Sequence, residues 1–136
     1  MPMRLGYVTA ILPDWTLEQH LKFAADEGFD SIEVMCWPAG KAERRYAGVT
    51  HIDVTHFAAA DAERIKGLLR SSPVRISSLG YYPNPLTPDP AESATYVEHI
   101  KKLIAASAML GINGVTTFVG RDPARSIEDQ WGDFEA

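Results

Sequence analysis

A carboxylate in the middle of an apolar strand pattern is the strongest chemical signal in this sequence. Glu33 lies within Ser31-Ile32-Glu33-Val34-Met35-Cys36-Trp37. Such a group must be hydrogen-bonded, paired or turned toward a polar cavity. Two readings follow from that. Glu33 faces a pocket mouth, where it binds a hydroxyl or helps move a proton, or it is structural and satisfied by arginine or backbone donors.

Further along, Tyr81-Tyr82-Pro83-Asn84 offers aromatic faces, hydroxyls and an amide just after a third apolar strand pattern. Sugar-like ligands suit that mixture, because their C–H faces stack while their hydroxyls need polar partners. One of the two tyrosines is expected to line a pocket, with Tyr82 the candidate; the alternative is that one packs under the loop and the other is merely exposed. His51-Ile52-Asp53-Val54-Thr55-His56 holds two imidazoles and a carboxylate within six residues. Its spacing matches no strong metal motif. Asp53 or Thr55 reads better as a helix cap, and His51 as a single side chain at a pocket rim.

Trp37 closes the second strand pattern, where it shields a pocket wall or covers the end of the sheet. Thr116, Thr117 and Phe118 end the fourth, and a hydroxyl there could reach a ligand. His20 and His99 fall inside helical stretches and are expected to face solvent or pack at the surface. A Gly-rich phosphate loop, a serine nucleophile elbow, a Cys-x-x-Cys pair and a His-Glu-x-x-His stretch are all missing from the sequence.

The elements that must position these residues alternate along the chain. Strand patterns are predicted over Arg4–Thr9, Asp30–Trp37, Val74–Leu79 and Gly114–Val119. The first helix opens on a Thr16/Gln19 capping box and stops at Gly28. The second runs from His56 or Phe57 to Arg70, after a long aperiodic connection, Lys41 to Thr55, that is a candidate functional loop. The third begins at Asp89-Pro90-Ala91-Glu92, with an N-cap, a proline at the first helical position and a glutamate at N3, and ends at Gly111. Ser126 and Asp129 cap a fourth helix, which carries Trp131 and Phe134. Four strand–helix units in succession predict an α/β fold with a parallel sheet. Ligands would then meet the C-terminal strand ends and the loops after them.

The chain has 136 residues, one domain's worth, and a formal net charge of −5. That charge argues against nucleic acid as a partner, since phosphate contacts need clustered Lys and Arg. The densest basic group, Lys41 with Arg44 and Arg45, is small. A small molecule is the default partner. Cys36, the single cysteine, has no internal disulfide partner and reads as a small buried hydrophobe. The opening residues show no apolar leader, and no stretch nears the ~20 apolar residues of a membrane span. A cytoplasmic protein away from membranes is expected.

Three segments taken together are similar to one known family. They are LEQHLKFAADEGFDSIEVMC (17–36), SSLGYYPNPL (77–86) and IAASAMLGINGVTTFVG (104–120). In order and spacing they resemble the opening half of sugar phosphate isomerase/epimerases of the xylose-isomerase-like TIM barrel superfamily, with Gly28-Phe29-Asp30 to Glu33 and Ala106 to Gly114 as the better markers. The resemblance implies that residues 1–136 are one domain, the first four units of a (β/α)8 barrel. It implies interconversion of sugars or polyols by proton transfer beside a carbonyl, with a divalent metal (Mn, Mg, Co or Zn) whose usual ligands come from later strands. It also implies a catalytic role for Glu33 and substrate contacts for Trp37, His51, Tyr82 and Asn84. Dehydratases and apurinic-site endonucleases share the superfamily, and the acidic charge weighs against the latter. The alternative from another class is a non-catalytic half-barrel, natural or truncated, that assembles with a second copy or a partner chain.

Overall fold

The alternation read from the sequence becomes a parallel sheet whose strands stand side by side in chain order. The computed structural model describes residues 3–40 and 47–135. Among them are β1 (Gly6–Val8), α1 (Leu17–Asp26), β2 (Ser31–Met35), α2 (Ala59–Arg70), β3 (Arg75–Gly80), α3 (Pro90–Leu110), β4 (Val115–Thr116) and α4 (Ile127–Glu135). A short 3₁₀ turn, Thr9–Ile11, follows β1. The sheet order is β1-β2-β3-β4, and every pairing is parallel. The basic group Lys41, Arg44 and Arg45 lies outside the described residues, as does that part of the long connection. No described helix is long and apolar enough to cross a membrane.

Local chemistry fixes each turn from helix to strand. Gly28 has φ +77°, a left-handed conformation that glycine takes without Cβ strain. The next amide, Phe29 N–H, donates back to Ala24 O at 2.8 Å. The Phe29 ring then meets Tyr7 edge-on at 5.1 Å, and Asp30 Oδ2 accepts the Leu5 N–H at 2.9 Å. The Gly-Phe-Asp segment thus ends α1 and sets β2 beside β1. Gly111, with φ +72°, ends α3 in the same manner, and Ser107 and Ile112 exchange hydrogen bonds across that turn.

Alternation along β2 divides its side chains between two faces. Ile32 and Val34 are buried with Leu79, Tyr81, Leu17, Leu21, Ile65 and Leu103 in the main core under α1, α2 and α3. Each such side chain contributes roughly 1.5–3 kcal/mol by leaving water. Glu33 and Met35 take the opposite face, where Met35 packs with Ala10 and Val49.

Several expectations need correction. β1 and β4 are shorter than predicted, because a strand persists only where a neighbour pairs with it. β3 ends at Gly80, so the β3–β4 ladder stops at Gly80↔Thr116 and the chain leaves the sheet before Phe118. α2 begins at Ala59, and neither Asp53 nor Thr55 caps it. Asp61 instead reaches back to the Ala58 N–H at 2.9 Å, while Asp53 accepts the Thr55 N–H at 2.8 Å in a turn upstream. His20 and His99 are buried, not at the surface. His20 shares its helix face with Leu17, Leu21 and Ala24, and His99 shares one with Leu103, Ala106 and Leu110, so helical period carries both rings inward.

The start of α3 matches expectation, with Asp89 accepting the Ala91 and Glu92 amides at 2.9 and 3.3 Å. Replacing Asp89 by alanine should cost about 1 kcal/mol, read as a lower urea midpoint with an unchanged slope.

Candidate functional site

The residues that converge come from the middle of β2, the last residue of β4 and the loop just after β3. An irregularity between Ile32 and Glu33 resets the β2–β3 register, so Glu33 stands opposite Ser78 and Met35 opposite Gly80. Gly80 in turn pairs with Thr116. Glu33, Ser78, Gly80 and Thr116 therefore share the face turned away from the helices.

Glu33 Oε1 accepts two hydrogen bonds, one from the Tyr82 hydroxyl and one from the Thr116 hydroxyl at 3.0 Å. Glu33 Oε2 has no protein partner among the described residues. One oxygen is thus fixed and the other is free to accept from a ligand. Burial, and then the bond to Glu33, hold the Tyr82 phenol above its ordinary pKa, so it stays a donor at neutral pH. The Tyr82 ring also lies 4.9 Å from Phe118, which is half exposed. Tyr81 points the other way into the core, against Trp37 at 4.9 Å and His99 at 4.6 Å. Burial and the nearby Tyr96 and Glu92 push its phenol up to about 12.

Gly80 makes this grouping possible. A Cβ there would overlap the Met35 Cε and come within 2.7 Å of Glu33 Oε1. Only glycine leaves room for the carboxylate to lie across the strand end.

Trp37, His51 and Asn84 are engaged in other ways. Trp37 packs between Tyr81 and the Ala10–Met35–Val49 cluster. His51 is half-buried with both ring nitrogens engaged: Nδ1 is 2.8 Å from Thr9 Oγ1, and Nε2 is 3.2 Å from His20 Nε2. Asn84 grips one residue of the β4–α4 loop from both sides. Its Oδ1 accepts the Arg121 N–H at 2.8 Å, and its Nδ2 donates to Arg121 O at 2.9 Å. Beside it a cleft of about 440 Å³ opens between Pro83, Phe118, Gly120 and Arg121. The structure therefore brings Glu33 and Tyr82 into contact, joins Trp37 to Tyr82 through the Ala10–Met35–Val49 cluster, and shows no hydrogen bond or ring contact from His51 or Asn84 to either among the described residues.

Three buried polar residues carry roles that sequence reasoning missed. His20 joins Tyr7 to His51, and His99 Nε2 lies 2.8 Å from Cys36 O. Gln130 gathers the β4–α4 loop: its Nε2 donates to the carbonyls of Asp122, Arg125 and Ser126, and its Oε1 accepts the Asp122 N–H. Helix-face spacing was a usable signal for the histidines. Gln130 had none.

Among the described residues, no group of three or more His, Cys, Asp and Glu side chains is placed to hold a metal ion. Asp53 has its carboxyl below the usual range because Thr55 donates to it through backbone and side chain. It makes no joint site with His51 and His56.

Residues 21–136 match a protein-family model described as a xylose isomerase-like TIM barrel. No curated protein matches the chain.

Gly80→Ala should force Met35 and the Glu33 carboxylate aside at a cost of about 1–3 kcal/mol. Urea denaturation checks the loss, which should shrink when Glu33→Ala is added, since the two substitutions share the crowded site.

Proposed function

Because this chain belongs to the xylose isomerase-like TIM barrel family, we propose that it serves as an isomerase or epimerase of sugars or related polyols. The reaction is proton transfer next to a carbonyl, carried out in a complete barrel that these four units open. The observation that carries the reading is the half-tethered carboxylate of Glu33. Tyr82 and Thr116 hold one oxygen at the C-terminal strand ends, and the second oxygen has no protein partner among the described residues. That arrangement suits a group that accepts a substrate hydroxyl or shuttles a proton, because the fixed oxygen sets the direction of the free one.

In this reading Tyr82 and Phe118 offer aromatic surface to the carbon face of a sugar. Trp37, His51 and Asn84 frame the rim and keep its loops in place. A divalent metal, where the complete barrel binds one, would stabilise negative charge developing on substrate oxygens. The described residues build no site for it, and no step here depends on it. Acidic net charge and a polar, aromatic rim favour a small polyhydroxylated partner over nucleic acid.

A second observation bears on assembly. β1 and β4 each pair on one side only among the described residues, and Val8, Ile11, Phe118 and Val119 are exposed beside them. Purely parallel sheets are normally covered on both faces. Further strands, from the same polypeptide or a second copy, are the proposed cover. A chain of this length should therefore scatter light above the one-chain mass, and a monodisperse monomer would count against the proposal.

Incubating the protein with ketoses, aldoses and inososes in D2O, with added Mn, Mg, Co or Zn, tests the chemistry. Deuterium should enter the carbon beside the carbonyl, and Glu33→Gln should slow entry by about 10²- to 10⁴-fold while leaving the circular dichroism unchanged. No incorporation from any sugar under any metal would overturn the reading.

A further inference from the structure

The end of β2 is overlaid by a short strip of the following loop. Val49 O accepts the Trp37 N–H at 3.2 Å, Met35 O accepts the His51 N–H at 2.9 Å, and Cys36 pairs with Thr50 in an antiparallel bridge. Besides these bonds and the buried Val49 side chain, a row of side chains ties the strip to β1 and α1: Tyr7, His20, His51 and Thr9. Tyr7 OH is 2.9 Å from His20 Nδ1, the two Nε2 atoms are 3.2 Å apart, and His51 Nδ1 is 2.8 Å from Thr9 Oγ1.

A neutral imidazole has one N–H and one acceptor nitrogen. Two proton orders then satisfy the row. In one, Tyr7 donates to His20, His20 to His51, and His51 to Thr9. In the other, Thr9 donates to His51, His51 to His20, and His20 to the Tyr7 oxygen, while the Tyr7 hydroxyl turns to His20 O at 3.3 Å. Each order places one ring proton on each histidine. A third proton can be housed in the row, with one proton between the two Nε2 atoms and one on each Nδ1, but it places a net charge beside a fully buried ring.

We propose that the His20–His51 pair is an acid-released latch: it holds the Val49–His51 strip on the end of β2 while both rings are neutral, and frees it when the pair takes up a further proton. Burial outweighs the help that the Leu12 and Pro13 carbonyls give a cation, and the groups facing the pair among the described residues are uncharged. They are the Tyr7 phenol from β1, the Trp15 ring at 5.5 Å from His20, Thr9, and the Leu12 and Pro13 carbonyls. No carboxylate is among them. The proposal is independent of the reaction proposed above.

The sign of the pH dependence follows from the same surroundings. Burial, with the neighbouring His51, holds His20 down to about 4, and burial lowers His51 below its ordinary 6.5. Once released, a ring regains an ordinary pKa near 6.5. The freed form binds more protons between those values, so the latched form loses ground as pH falls from about 6.5 toward 4. Above that window the latch is indifferent to pH, and below it the effect saturates.

Native-state hydrogen exchange of the Trp37 and His51 amides tests this, with Leu103 in α3 as the reference for global opening. After correction for intrinsic rates, the local opening constant should rise by up to about tenfold per pH unit between pH 6 and 5. His20→Phe should reduce that slope, leaving only the contribution of the buried His51. A flat profile in the unaltered protein, or an undiminished slope in His20→Phe, would overturn the proposal. Should the variant fail to fold, imidazole ¹⁵N shifts of the unaltered protein decide the matter. Both rings neutral at pH 5.5 support the latch, and both titrating near 6.5 defeat it.

Discussion

A carboxylate within an apolar strand is tolerable only where donors reach it, and that requirement organises the mouth of this sheet. The donors to Glu33 come from two different neighbours, the residue two beyond Gly80 at the end of β3 and Thr116 in β4. Both arrive only if three strands keep their register. The irregularity between Ile32 and Glu33 sets that register, and Gly80 leaves the space into which the carboxylate turns. A one-residue slip would send Glu33 into the helix-packed core, where an unpaired charge costs several kcal/mol. The same group that invites a chemical reading therefore also specifies how β2, β3 and β4 align.

The fold was legible because strand and helix periods, caps and terminal glycines all pointed one way. Thr16 with Gln19, Asp89 with Pro90, and Gly28 and Gly111 mark helix ends by chemistry local to each turn, and the structure uses each accordingly. Strand length was less legible. It depends on where the neighbouring strand ends, a property of two segments at once, which is why β4 shrinks to Val115–Thr116.

Within the site, Glu33 stood out for its mismatch with its surroundings, and Tyr82 for its place after the strand. Their contact spans 49 positions in sequence and could not be read from either segment alone. His20 and His99 show a different failure. Residue type argued for the surface, whereas spacing argued for the core, and spacing prevailed because each ring found a partner there. Gln130 marks the limit of pattern reading, since its value lies in three carbonyls and an amide that converge only once the loop has folded.

Beyond Met35 the ladder gives out, yet the backbone still carries strong donors and acceptors that need partners. Residues 35 to 37 find them from every side. Met35 donates to Thr9 Oγ1 and accepts from His51, and Cys36 donates to Gly80 O and has His99 at its carbonyl. Trp37 donates to Val49 O and accepts from the Thr50 hydroxyl. Six backbone groups are thus satisfied by side chains from β1's turn and α3, by β3, and by the Val49–His51 strip. Met35 packs in the cluster that includes Val49 of the strip, and Tyr82 packs against it, so the strip and the Glu33–Tyr82 contact rest on one set of apolar side chains.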